Sequence, residues 1–283
     1  MSVAVADQAT PPGVDFLWLE ITGRCQLACG HCYADSSPQG SHGAMTAADW
    51  KAVIDSAAEV GVDMVQFIGG EPTLHPDLPG LVAYALAAGL TAEVFTNLLH
   101  VSERMWEVFA QPGVRLATSY YASDPARHDE VTGRAGSHSR TRANIAEAVR
   151  RGIPLRVGLL ADTGGDVEAA RAELESLGVA NIRVDQVRAV GRGGVGGTAS
   201  TCGRCGHGRA AVRADGAVTP CVFTRGMVTG NVLTDSLGKI LADPRWRATV
   251  GTLTRPGNSF SACNPEKDSP PCVPTHPEPV PNR

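Results

Sequence analysis

The chain has no excess of positive charge. Its 25 Lys and Arg stand against 29 Asp and Glu, giving a formal net charge of −4. No basic stripe offers itself to nucleic acid or to an anionic membrane, so neither is an expected partner. There is no run of about 18 apolar residues of the kind a membrane-spanning helix needs. The first residues, MSVAVADQATPPGVD, lack the basic-then-apolar order of a signal peptide. Cysteine is missing from the whole stretch between Cys32 and Cys202, so the eight cysteines fall into two groups, one toward each end. Without an export signal, the expected setting is soluble, cytoplasmic and reducing. There disulfides are disfavoured, and clustered cysteines bind metal or do redox chemistry.

What is present is ordinary globular composition, 43% hydrophobic and 19% charged over 283 residues, enough for a large core. After an N-terminus (1–15) that reads as disordered, apolar strands alternate with helices. Strands are expected at 16–22, 62–70, 90–97, 114–121, 153–161 and 179–191. Helices are expected at 46–61, 75–89, 102–113, 139–152 and 165–178. Thr46 with Asp49 reads as a helix start, and Gly61 as its stop. Near-continuous apolar strands separated by helices specify a parallel sheet with helical crossovers. An open doubly wound sheet and a partial (β/α)6 barrel both fit residues 16–191. In either, chemistry belongs at the carboxyl ends of the strands. Cys25, Gly69–Gly70–Glu71, Thr96–Asn97 and Ser119 all fall there.

GRGGVGGTAS (191–200), with five glycines, reads as a linker over 192–200. Residues 201–283 form a small cysteine-rich extension. GRAAVRADGAVTPCVF (208–223) reads as a hairpin turning at Asp215–Gly216, and 235–246 as a short helix. A proline-rich tail follows, which Cys263 and Cys272 could staple.

The first cysteine group has the spacing C-x3-C-x2-C at Cys25, Cys29 and Cys32, on a loop after a strand. Structural zinc wants four ligands, and His31 as the fourth would strain the loop. Three soft thiolates suit a cubane iron–sulfur cluster that leaves one iron open.

This motif, with GGEP at 69–72 after the second strand and the six-strand alternation, resembles the radical S-adenosylmethionine (radical SAM) superfamily. The resemblance implies that Cys25, Cys29 and Cys32 hold a [4Fe–4S] cluster whose open iron takes the methionyl amine and carboxylate. One electron, from a reductant such as flavodoxin or ferredoxin, then yields a 5′-deoxyadenosyl radical that abstracts a substrate hydrogen. It further implies that Gly69, Gly70, Glu71 and Pro72 face the methionyl amine, Glu71 assisting. Ser119 is implied to face the ribose or carboxylate. Tyr33, Thr96 and Asn97 are counted with the S-adenosylmethionine site, and His31 beside the cluster. Plainer readings stand beside these: Ser119 as a strand-end hydroxyl, Asn97 as a left-handed turn residue, His31 as packing.

The second group, C-x2-C-x15-C at Cys202, Cys205 and Cys221, contains C-x10-G-x4-C through Gly216. It resembles the auxiliary-cluster signature of SPASM and twitch extensions; a zinc ribbon is the alternative. Five cysteines here (202, 205, 221, 263 and 272) set a ceiling of one auxiliary cluster. Its ligands are expected to be Cys202, Cys205 and Cys221 plus one of Cys263 and Cys272, or those three alone with an open iron. A spare Cys263 or Cys272 could act catalytically, as the hydrogen donor of an epimerase.

Residues 120–145, YYASDPARHDEVTGRAGSHSRTRANI, resemble a segment of peptide-modifying SPASM-type enzymes. This favours a ribosomally made peptide as substrate, epimerised or cross-linked. A barrel that starts near residue 16 leads us to expect no preceding leader-binding domain. The alternatives are a small molecule, such as an aminoglycoside precursor, and a non-catalytic iron–sulfur protein.

Overall fold

Seven consecutive residues of β1 (Phe16–Thr22) are buried, as a strand covered on both faces requires. The computed structural model describes residues 13–194, 201 and 203–253. After β1 come α1 (Ala47–Glu59), β2 (Met64–Gly69), α2 (Leu78–Ala87), β3 (Thr91–Phe95), α3 (Glu103–Phe109) and β4 (Val114–Tyr120). Two helices follow, α4 (Pro125–Thr132) and α5 (Ser137–Arg150), then β5 (Leu155–Leu160), α6 (Val167–Ser176) and β6 (Asn181–Asp185). Thr46 caps α1 through a reciprocal capping box with Asp49. α4 has no counterpart in the sequence reading. Its residues PARHDEVT lack an apolar stripe, and it starts instead on the Asp124 cap and on Pro125 in its first turn.

β1 through β6 pair in parallel, in the spatial order β6-β5-β4-β3-β2-β1. The expected hairpin exists as β7 (Arg209–Arg213) and β8 (Ala217–Thr219), followed by β9 (Gly230–Asn231). It does not stand apart from the barrel sheet. β7 pairs in parallel with β1, from Phe16↔Arg209 to Glu20↔Arg213, and β8 and β9 continue the sheet antiparallel. The expected helix over 235–246 is two, α7 (Leu237–Ala242) and α8 (Pro244–Leu253), broken at Asp243–Pro244.

Strand alternation sorts the core into two faces. Leu17, Leu19, Ile21, Val65 and Phe67 pack with Trp50, Ile54 and Leu81 on the helix side. Phe16, Trp18, Met64 and Ile68 form an inner cluster with Cys205, Cys221, Val222 and Leu253. Each such side chain is worth about 1.5–3 kcal/mol when fully buried.

Candidate functional site

The cysteine loop leaves the carboxyl end of β1 and is held from three sides. At its base, Gly23 N–H donates to Ser41 O (2.8 Å) and Cys25 N–H to Ser37 O (3.0 Å). From the flank, the end of α4 accepts Ala28 N–H at Thr132 O (3.1 Å) and Gly30 N–H at Val131 O (3.3 Å). From below, Gly191–Gly193 form a short 3-10 turn against the loop. Arg192 donates its backbone N–H to Cys32 O (3.0 Å), Nε to Cys29 O (2.9 Å) and Nη2 to Ser36 O (2.7 Å). Residues 191–194, read as the start of a linker, thus clasp the loop. A Cβ at Gly191 would run into the carbonyls of Cys32 and Tyr33, so the turn needs glycine there.

Cys25, Cys29 and Cys32 are unbridged thiols near enough to affect one another's charge. Leu27 N–H donates to Cys25 Sγ and Ser36 N–H to Cys32 Sγ, each at 3.4 Å. Burial, aided by Glu71 and the other two thiols, pushes the Cys25 thiol up to about 12, against the opposing Leu27 N–H. Burial and Cys32 push Cys29 up to about 11. Among the described residues, no three His, Cys, Asp or Glu side chains close on a single-ion position. Three soft sulfurs on one rim, two of them backed by N–H donors, fit an iron–sulfur cluster.

The GGEP segment lies against the same loop. Gly70 N–H donates to Thr22 O (2.6 Å) and Glu71 N–H to Arg24 O (2.8 Å). A Cβ on Gly69 or Gly70 would strike the carbonyls of Thr22 and Arg24, so glycine here lets two backbone segments meet. Glu71 is 1% exposed. Its Oε1 accepts from Thr73 N–H (3.1 Å), Thr73 Oγ1 (2.7 Å) and Thr96 Oγ1 (2.7 Å), and Oε2 accepts from Asn97 N–H (2.8 Å). Burial raises its pKa and these donors oppose the rise. Glu71 therefore ties β2 to the end of β3. Pro72 follows it, buried, as the first residue of a 3-10 turn.

Beyond that tie, Asn97 pairs reciprocally with Gln26 (3.2 Å each way), and its Nδ2 lies 3.8 Å from Cys25 Sγ. The left-handed residue of this turn is Leu98, with φ 53°, not Asn97. Its carbonyl is held by Asn144 (2.7 Å), and that of Asn97 by Thr141 (3.0 Å), both on α5. Ser119 sits at the end of β4, and the Tyr121 hydroxyl lies near enough to Ser119 and Cys29 to influence and be influenced by them electrostatically. The His31 ring lies 5.0 Å from that of Tyr121. The Tyr33 ring packs against Phe223 (5.3 Å) and lies close to Glu20 and Arg225, with Cys32 near enough to act on its hydroxyl. Arg225 grips both oxygens of Glu20 (2.8 and 2.7 Å). A cavity of about 180 Å³ beside this pair is lined by Glu20, Thr22, Ser36, Gly69, Arg213 and Arg225.

Of the second group, Cys205 and Cys221 are buried in the inner cluster. Cys202, Cys263 and Cys272 lie outside the described residues. The sequence reading missed Gln26, Tyr121, Arg192 and Arg225. Only Tyr121 carried a signal, sharing a strand face with Ser119 two residues earlier.

The sequence profile of the Radical SAM superfamily matches residues 19–174, and that of the SPASM iron-sulfur cluster-binding domain matches 202–272. A PqqA peptide cyclase of Xanthomonas campestris pv. campestris is 38% identical over 146 residues, 51% of this chain and 39% of the relative. One from Rhodopseudomonas palustris is 32% identical over 141 residues, 49% of this chain and 37% of the relative. The match thus spans only about two fifths of these curated relatives. Streptococcus suis SuiB bound to the precursor peptide SuiA is similar in fold, with TM-score 0.72 and 15% identity over 83% of this chain and 66% of that one. BtrN in complex with AdoMet and 2-DOIA gives TM-score 0.58 and 16% identity over 87% and 89%. With its cysteine loop, GGEP segment and parallel sheet inside a matched region that covers more than half of its length, the chain belongs to the radical SAM superfamily, whose cofactors are S-adenosylmethionine and [4Fe–4S] clusters.

Proposed function

We propose that this chain is a radical SAM enzyme that modifies a ribosomally made peptide, by inverting a stereocentre or by forming a cross-link. Cys25, Cys29 and Cys32 would hold the cluster, leaving one iron for S-adenosylmethionine. When bound, the pair supplies a 5′-deoxyadenosyl radical that takes a hydrogen atom from the substrate. The chain's own residues give that chemistry a fixed frame. Arg192 and α4 hold the loop, Glu71 and Asn97 lock the ends of β2 and β3 beside Cys25, and Tyr121 spans from Ser119 to Cys29. The carrying observation is this convergence of three thiols, GGEP and the end of β4 on one rim. It is the end of a parallel sheet where ligands bind.

The peptide substrate is supported by the likeness to PqqA peptide cyclases, and the word cyclase favours bond formation over inversion. Residues 120–145, whose resemblance favours a peptide, also build the support of the cysteine loop. Asp129 accepts from Ser137 Oγ and His138 N–H (both 2.9 Å), and Thr132 meets Ser137 (2.6 Å). That knot fixes α4, whose end holds the cysteine loop. We further propose one auxiliary cluster on Cys202, Cys205, Cys221 and one tail cysteine, with the other of Cys263 and Cys272 as hydrogen donor if the reaction is an inversion.

The test is anaerobic reconstitution, reduction with dithionite, and incubation with S-adenosylmethionine and a candidate precursor peptide in deuterated water. Two hydrogens lost without exchange indicate a cross-link, and one deuterium at an inverted carbon indicates epimerisation. Failure of the reconstituted enzyme to form 5′-deoxyadenosine, or zinc in place of iron, rejects the reading.

A further inference from the structure

Arg209 opens β7 opposite Phe16, at the end of β1 far from the cysteine loop. Six residues of parallel strand separate Phe16 from Thr22, about 20 Å at the usual rise. The residue is 5% exposed, and its guanidinium lies 4.9 Å from the centroid of the Trp18 ring and 5.9 Å from that of Phe16. Among the described residues, its buried Nε and Nη2 have no hydrogen-bond partner. Four other arginines around this inner face each meet an acid, although Arg188 Nε and Arg213 Nε are, like the Arg209 donors, buried without a hydrogen-bond partner among the described residues. Arg156 meets Glu93 (2.6 Å), Arg188 meets Asp185 (2.5 Å), Arg213 meets Asp215 (3.0 Å) and Arg225 meets Glu20 (2.7 Å). Stacking on Trp18 compensates part of the burial of a cation, but leaves the in-plane N–H donors unanswered. A buried charge in that condition calls for an anion.

Phe16 and Trp18, the rings under Arg209, share one buried cluster with Cys205 and Cys221. Arg204, beside Cys205, also has a buried Nη1 with no partner among the described residues. Two thiols and orphaned guanidinium donors at one end of the sheet fit an iron–sulfur cluster, whose thiolate-ligated core is anionic. We infer that the Arg209 guanidinium is the counter-charge to the auxiliary cluster held through Cys205 and Cys221, and that it raises the cluster's reduction potential. The inference rests on the auxiliary cluster of the proposed function. Reduction adds one electron, from the external reductant, and makes or breaks no bond. The added negative charge is what the fixed cation stabilises.

The experiment compares reconstituted wild type with Arg209→Met, which keeps the apolar stem, and Arg209→Lys, which keeps the charge. Midpoint potentials are read by electron paramagnetic resonance during a dithionite titration. A Cys25→Ala/Cys29→Ala/Cys32→Ala background isolates the auxiliary signal; in the intact enzyme, S-adenosylmethionine marks the other cluster by shifting its spectrum. Arg209→Met should lower the auxiliary potential enough to change the reduction equilibrium at least tenfold, about 59 mV for one electron. Arg209→Lys should shift it less. A second readout covers folding: before reconstitution Arg209→Met should melt higher than wild type, and it should gain less in Tm when the clusters are built. Unchanged potential and unchanged Tm gain in a variant with full iron overturn the inference. So does an unchanged potential with a raised KM for the peptide, since Arg209 would then answer a substrate carboxylate. Wild type holding only about four irons removes the auxiliary cluster itself, a failure distinct from that of Arg209.

Discussion

Cys25, Cys29 and Cys32 follow the carboxyl end of β1, whereas Cys205 and Cys221, the described members of the second group, lie before β7 and after β8, and the two surroundings differ. Around Cys25, Cys29 and Cys32 the protein supplies its own polar partners: N–H donors to two sulfurs, Arg192 on the carbonyls, α4 on the flank. Around Cys205 and Cys221 it supplies aromatic rings, the Thr219 and Thr224 hydroxyls on the Cys221 backbone, and guanidinium N–H groups that have no partner among the described residues. The first site is organised by its backbone before any cofactor arrives. On the inference drawn above, the second is completed by the anionic cluster. The lesson is that a three-cysteine rim loop can be shaped locally by its own backbone partners, whereas buried guanidinium donors around two thiols make stability depend on what binds there.

The sharpest way to break this contrast is to remove one thiol from each side. Cys25→Ala should abolish 5′-deoxyadenosine formation and reduce iron from roughly eight to about four per chain. Cys221→Ala should cause a similar iron loss yet retain S-adenosylmethionine cleavage uncoupled from product, measured by chromatography of 5′-deoxyadenosine against peptide product. Next in size, Arg192→Ala deletes the guanidinium contacts to Cys29 O and Ser36 O. Cluster retention under chelator challenge should fall about 10- to 100-fold, as when support behind metal ligands is lost. The auxiliary cluster should be unaffected. Tyr121→Phe is milder. It keeps the ring beside His31 and removes only the hydroxyl between Ser119 and Cys29. A roughly tenfold drop in S-adenosylmethionine cleavage, about 1.4 kcal/mol, is expected, with the fold unchanged by circular dichroism.

The smallest effect concerns α4. Burial, helped by His138, lowers the His128 pKa to about 4, from 6.5 in an unfolded chain. Between those values the unfolded chain binds the extra proton, so stability is full above pH 6.5 and falls as pH drops toward 4. The Tm of the protein before reconstitution should decline across that window, and His128→Gln should flatten the slope. A flat wild-type profile would show that folding does not depress the His128 pKa.

Parallel β/α alternation was legible because its signals are local: apolar strands, glycine stops, and the Thr46–Asp49 box. α4 was not, because its polar sequence carries no helical stripe and its start depends on one cap. The pairing of β7 with β1 was also hidden. Nothing in GRAAVR says which strand it will join, some 190 residues away in sequence. At the site, the cysteine spacing and GGEP could be read directly. The reason for the GGEP glycines could not, since it lies in the carbonyls of Thr22 and Arg24 that they pass.

By itself the sequence determined the superfamily, the two cysteine groups and the rim on which the first one stands. Each depends on residue spacing within one loop or on alternation along one strand. Only the tertiary structure decided that Arg192 clasps a loop 163 residues before it, that Arg225 pairs with Glu20 across 205 residues, and that Arg209 is buried without an acid among the described residues. These are meetings between distant segments. Which charge finds a partner depends on the packed geometry of the whole sheet, which spacing along the chain does not encode.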